Sequence, residues 1–484
     1  MSSVGRLGPW CDAALRLLGW LTFAGVLAAG LHDASQAFDT WYYHLPFAAR
    51  LAGIIPEDAF RFHPANEARY QGFALLGELL QGAVWRVTGR AECANLVAFS
   101  SVPLVAWFLW KRWGVPFAIT LLALFAIPLV ETHASSCYVD LPGNAAASVL
   151  VLLVIDAYAT STPVRGGDVA LSLLMGAVAA NIKPLLQPVV GLALLAILVR
   201  LVTREATGET QRRSRQLVRL MLFAAPLVLW TPLKNAVVHH NPFYPIGLHL
   251  FGHTLPGPEE AYASSPPWLA DASRPVRFLS SVLEIGIRPV TDARRWTVDQ
   301  WMPSDSTGNR MGGFFGAYVV VMLATLAVRV VRDRSRLTRV STVVFLALTL
   351  LIACLPQSHE LRYYMVWMIV LVTLNLGLAC RGVSMPLLPG PRSLGGLAVI
   401  ALAVVVASTR GAYVYPGGTT VADLVREKVD ARALLGVRDG DLVCVRREPW
   451  NLLWSSYFHP PRQYRVQEAE DAADCGTVRQ ALSP

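Results

Sequence analysis

About eleven stretches of this chain are apolar over close to the ~20 residues that a membrane-spanning helix requires, and few sequence features restrict a fold more severely. Hydrocarbon offers no water to backbone N–H and C=O groups, so an apolar run of that length must satisfy its own hydrogen bonds as a helix. The runs lie at roughly 14–31, 91–110, 114–131, 142–160, 168–182, 184–202, 217–233, 313–331, 340–356, 363–380 and 394–410. Composition agrees: 54% of the 484 residues are hydrophobic and 15% are charged, where a soluble domain carries about a quarter. The expected class is an all-α multi-pass membrane protein. The net charge of +9 is not the footprint of a nucleic-acid binder, because the chain has no basic stripe and no zinc-finger spacing.

The basic residues sit instead in short loops between apolar runs, where they set orientation. Lys111 and Arg112, Arg165, the cluster from Arg204 to Arg219, Arg332 to Arg339, and Arg381 with Arg392 fall in alternate loops. Those loops and the N-terminus are expected in the cytoplasm, and the C-terminus outside. Arg6 and Arg16 before the first run also suit a signal peptide, but no clear cleavage site follows, so an uncleaved first span is expected.

A transmembrane domain over 1–410 then carries two long outward loops, 32–90 and 234–312, followed by a small outward α/β appendage at 411–484. In the first loop, Phe73, Leu76, Leu80, Ala83 and Val87 recur at near-helical spacing, which predicts one amphipathic helix from Glu67 to Thr88 lying in the interface. The second loop is rich in Pro, Gly and aromatic residues, as in an irregular lid. In the tail, Ala422–Leu435 reads as a helix and Asp441–Val445 as a short strand. Cys11, Cys93, Cys354 and Cys380 lie in or near spans as packing residues, Cys137 lies outward, and Cys444 can pair with Cys475 if that side is oxidising.

Ionisable residues gather at the outward ends of the spans. Group transfer to a hydroxyl needs a base for the proton and a counter-charge for the leaving group. Asp39, in the run Phe38 to Pro46, is the candidate base; its plain alternatives are a solvated loop Asp and a helix N-cap. Asp140, at the start of the fourth span, is the second carboxylate, placed to orient an acceptor, hold a metal, or simply cap the span. Arg362 offers a planar fork of donors to a phosphate, with a pairing to Glu360 as its plainer role. Lys183 interrupts an apolar run, where snorkelling is the safer reading. Lys234 is a weaker phosphate candidate. Tyr43, His44, His63, Glu67, Tyr244 and Tyr363 are candidates for acceptor or substrate contact. His44, His63, Asp39 and Glu67 together raise a divalent-metal site whose spacing matches no known zinc set.

Several of these elements occur in an order that resembles the GT-C fold membrane glycosyltransferases, in the branch of bacterial protein-mannosyltransferase-like and aminoarabinose-transferase-like enzymes. They are Asp39 with Tyr43-His44-Leu45-Pro46, then Pro64-Ala65-Asn66-Glu67, then Tyr138 to Pro142. The Gly-rich span ending in Lys183, the run Asn241 to Pro245, and Arg362-Tyr363 complete the series. The resemblance implies transfer of a hexose or pentose from a polyprenyl-phosphate donor to a cell-envelope glycan, lipid or protein acceptor on the outer face of a bacterial inner membrane, with Asp39 as base and Arg362 at the donor phosphate. Many members have Glu directly after the loop Asp, where this chain has Thr40. Two rival readings are an outer-face glycan polymerase or ligase, and a transporter. Transporters favour pseudo-repeats and midplane breaks, and the sequence shows no such symmetry.

Overall fold

The computed structural model describes residues 4–203, 209–250, 252–261, 265–287, 311–381, 389–409, 411, 414–460, 462–470 and 480–481. All eleven expected runs are helical there. Seven helices are long and apolar enough to cross a membrane, and up to nine spans result if each of two bent pairs is one span. The remaining two, Gly166–Ile182 and Gly316–Arg332, have 17 residues each, at the short end of what spans a bilayer.

Two spans form the centre of the bundle. Asp140–Ala159 and Leu361–Arg381 are buried on nearly every side, so both are apolar all round rather than along one stripe. The outer helices turn apolar side chains such as Leu17, Leu192, Val343 and Ile400 outward, as expected where lipid replaces water. One bent pair, Phe117–Phe125 and Pro128–Ala134, turns through 100°. Pro128 has no N–H and starts the second helix. The backbone freed by the break is satisfied inside the protein, with Leu129 N–H donating to Gly313 O at 3.0 Å.

Where the sequence predicts one helix from Glu67 to Thr88, the first loop has Pro64–Gly72 and Leu76–Thr88, after a shorter helix at Leu45–Leu51. Phe73 is extended at the break. Leu79, Leu80 and Val87 face outward, while Glu78, Gln81 and Trp85 face in. The polar residues turn inward because partners wait there: Glu78 meets His44, and Gln81 donates to Cys137 O at 2.5 Å.

The tail is not self-contained. Its sheet is parallel, in the order Phe60–Arg61, Arg465–Ala469, Leu442–Arg446, Gln480–Ala481, so the first loop contributes one strand. Phe60, Val443, Val466 and Trp454 share a core with Trp41, two residues beyond Asp39. Asp33 accepts from Gly417 N–H at 2.7 Å and Gly418 N–H at 2.9 Å, tying the tail's linker to the same loop. The tail helix is Val421–Lys428, shorter than the sequence suggests, and a Thr420–Asp423 capping box starts it. The expected strand is present as Leu442–Arg446. Cys444 is disulfide-bonded; its expected partner Cys475 lies outside the described residues, as does the 288–310 part of the second loop. Cys11, Cys93, Cys137, Cys354 and Cys380 are free.

Candidate active site

Asp39 immediately precedes a π-helical turn, Thr40–His44, a geometry found mostly in single turns at functional sites. It makes no side-chain cap, so the capping alternative fails. Its backbone N–H donates to Tyr138 Oη at 3.1 Å, while Trp41, held in the tail's core, donates to Ser35 O at 2.7 Å. The loop is therefore gripped from both sides.

Arg362 lies in a 3₁₀ turn, Leu361–Tyr364, that feeds the central helix Met365–Arg381. Asn144, on the other central helix, locks this turn: Nδ2 donates to Arg362 O at 3.3 Å and Oδ1 accepts from Val366 N–H at 2.8 Å. The Arg362 side chain is buried. Nη1 donates to Asp39 Oδ2 at 3.2 Å, Nη2 donates to Tyr363 Oη at 2.9 Å, and Nε lies 3.5 Å from Glu360 Oε2. The sequence offered a phosphate or Glu360 as the partner of Arg362; the fork meets Glu360 and, beyond that expectation, Asp39.

Lys183 does not snorkel. It ends Gly166–Ile182 in an extended conformation, and Nζ lies 2.6 Å from Asp140 Oδ1. An ammonium beside a buried carboxylate gains more from that charge than from reaching water. Asp140 is in the first turn of its helix, with Val139 at the cap position and no side-chain cap there. The Tyr363 ring lies between both cations, 4.3 Å from Lys183 Nζ and 4.8 Å from Arg362 Cζ. Asp39, Arg362, Tyr363, Lys183 and Asp140 thus form one continuous chain of contacts. Tyr43 borders it; burial foremost, then the charge of Asp39, pushes its phenol well above the ordinary range.

Other predicted residues are engaged elsewhere. His44 Nδ1 is 2.7 Å from Glu78 Oε1. His63 caps Pro64–Gly72 by accepting from Ala65 N–H at 3.3 Å. Glu67 pairs with Arg50 at 2.6 Å. Lys234 donates to Gln71 O near the end of the same helix, the place where a Lys satisfies last-turn carbonyls. The Tyr244 ring stacks on His239 at 3.7 Å. The metal set suggested by His44, His63, Asp39 and Glu67 is therefore not assembled, and among the described residues no group of three His, Cys, Asp or Glu could hold an ion.

Sequence reasoning passed over Asn144, because a neutral polar residue in an apolar run gives no charge signal, and took Tyr138 only as part of a motif. It also passed over Glu131 and His133, both fully buried in the bent pair. Two ionisable residues inside an apolar run were a readable signal.

No protein-family model matches the chain, and no curated protein matches its sequence. Solved structures do match. The crystal structure of ArnT from Cupriavidus metallidurans in the apo state superposes with a TM-score of 0.52 at 13% identity, covering 96% of this chain and 90% of that one. The chain has the ArnT fold. The ArnT structure bound to undecaprenyl phosphate gives a TM-score of 0.50 at 13% identity, covering 94% of this chain and 88% of that one. ArnT is an aminoarabinose transferase of the GT-C class, so the fold expected from the motif order is the fold observed.

Proposed function

We propose that this protein is a membrane glycosyltransferase that moves a sugar from a polyprenyl-phosphate donor to an acceptor on the outer face of the membrane. The observation that carries the reading is the meeting of Asp39 with Arg362, and of Lys183 with Asp140, around Tyr363 at one end of the bundle. The likeness to an ArnT structure that holds undecaprenyl phosphate supports a lipid-phosphate donor.

In the reaction, an Asp39 oxygen takes the proton of the acceptor hydroxyl. The acceptor oxygen forms a bond to the anomeric carbon as the bond from that carbon to the phosphate oxygen breaks. The electron pair leaves with polyprenyl phosphate, whose charge Arg362 and Lys183 offset. One base and one displacement invert the anomeric carbon. Buried ion pairs are expensive; two of them around one tyrosine ring suit a site where charge is used rather than one built for stability. Lys234, Tyr244, His63 and Glu67 shape the surrounding loops in this reading, and Tyr43 and Tyr363 form the wall nearest the chemistry.

The test uses proteoliposomes holding the purified chain, a pool of polyprenyl-phosphate sugars and cell-envelope acceptors. Mass spectrometry follows free polyprenyl phosphate. Release that depends on Asp39 supports the proposal, and the donor that disappears names the sugar. Consumption of whole lipid-linked oligosaccharides instead would point to a polymerase or ligase.

A further inference from the structure

The two central helices carry charge at both ends. Asp140 and Asp156 lie on one helix, sixteen residues and so about 24 Å apart, and Arg362 and Arg381 bracket the other. The far end of the bundle, away from Asp39, encloses a recess of about 300 Å³. Lys111, Arg112, Arg165 and Arg381 line it with Asp156 and Asp168.

Both acids are taken. Arg112 lies 2.9 Å from Asp168 and 3.5 Å from Asp156, and Arg381 lies 3.0 Å from Asp156. Lys111 and Arg165 have no acidic partner among the described residues, so the recess carries two uncompensated positive charges. A clamp that only fixed helix ends would need no more cations than acids. Arg165 also stands at the start of Gly166–Ile182, whose first turn adds positive potential. Lys111 Nζ lies 3.9 Å over the ring of exposed Trp110, and an exposed Trp beside a Lys marks headgroup depth. Basic recesses between spans at this level suit anionic lipid headgroups.

We propose that this recess binds the phosphate of one anionic phospholipid, at a site separate from the reaction centre. The phosphate sits between Lys111 and Arg165, with Arg112 and Arg381 behind it, held in place by Asp156 and Asp168.

The full chain in neutral detergent is titrated with phosphatidylglycerol, with phosphatidylcholine, and with inorganic phosphate as competitor, and bound lipid is read by native mass spectrometry. The expected result is one preferred phosphatidylglycerol per chain, with apparent affinity falling about tenfold or more in the Lys111→Gln/Arg165→Gln variant. Asp168→Asn releases Arg112 and should tighten binding, a gain that a purely structural network would not produce. Equal retention of phosphatidylcholine, or unchanged binding in both variants, overturns the proposal. Displacement of the lipid by inorganic phosphate at comparable concentration overturns the lipid assignment in favour of a soluble phosphate.

Discussion

Arg362 Nη1 donates to Asp39 Oδ2 at 3.2 Å, so without donor the proposed base fills part of the guanidinium fork that an incoming phosphate would use. Base and phosphate compete for one cation. A donor that draws Arg362 away also frees the carboxylate oxygen for the acceptor's proton.

That competition sets the outcome for Asp39→Asn. Turnover should fall by about 10²–10⁴, the usual contribution of a general base. Donor binding should hold or tighten, because the amide is a poorer rival for Arg362. Single-turnover kinetics with an equilibrium donor-binding assay separates the two effects; weaker donor binding with normal turnover would reject the assignment.

Arg362→Lys keeps the charge but loses the fork. One ammonium cannot serve Asp39, Tyr363 and Glu360 together, so KM for the donor should rise about tenfold or more while kcat changes less. Steady-state kinetics at varied donor checks this.

Lys183→Met leaves Asp140 buried without its counter-charge and should cost about 3–5 kcal/mol. The double variant Asp140→Asn/Lys183→Met should recover much of that loss, because it removes the lone charge as well. Unfolding in mixed micelles across the double-mutant cycle gives the coupling.

Tyr138→Phe keeps the ring beside Arg362 but removes the acceptor of the Asp39 N–H. An orphaned buried N–H costs about 1–3 kcal/mol. Unfolding should shift by that amount, and activity should fall with the order of the Asp39 loop.

Glu468 tests the join between tail and loop. Oε2 accepts from His63 N–H at 2.9 Å and Asn66 Nδ2 at 3.1 Å. Burial nevertheless outweighs these bonds and raises its carboxyl above the ordinary 4.5. A raised carboxyl favours the folded state in its protonated form. Its stabilising contribution is complete below 4.5 and lost as pH rises through the folded value. Glu468→Gln should therefore gain stability relative to the parent as pH rises from 4 to 7. Unfolding temperatures for both proteins across that range check the sign.

The spans were legible because hydrocarbon demands one long apolar run for each. The 100° turn before Pro128 and the break at Phe73 were not, since each depends on partners far along the chain: Gly313 O for the first, and His44 and Cys137 for the helix after the second. The candidate site was legible by residue type. Asp39, Asp140, Lys183 and Arg362 stood out as charges at span ends, but no spacing links Lys183 to Asp140 or Arg362 to Asp39. His63, Glu67 and Lys234 carried the same signal and serve Pro64–Gly72 instead, because a helix end in a loop needs caps and counter-charges as much as a reaction does.

The strand that Phe60–Arg61 lends to the tail's sheet bears on how the molecule matures. Its neighbour, Arg465–Ala469, is made some four hundred residues later, after every membrane helix described above. Until then Trp41 lacks the core that steadies the Asp39 loop. A chain halted before Arg465 would own every charged residue of the candidate site and still hold the proposed base loosely, so the tail is made before the Asp39 loop can settle.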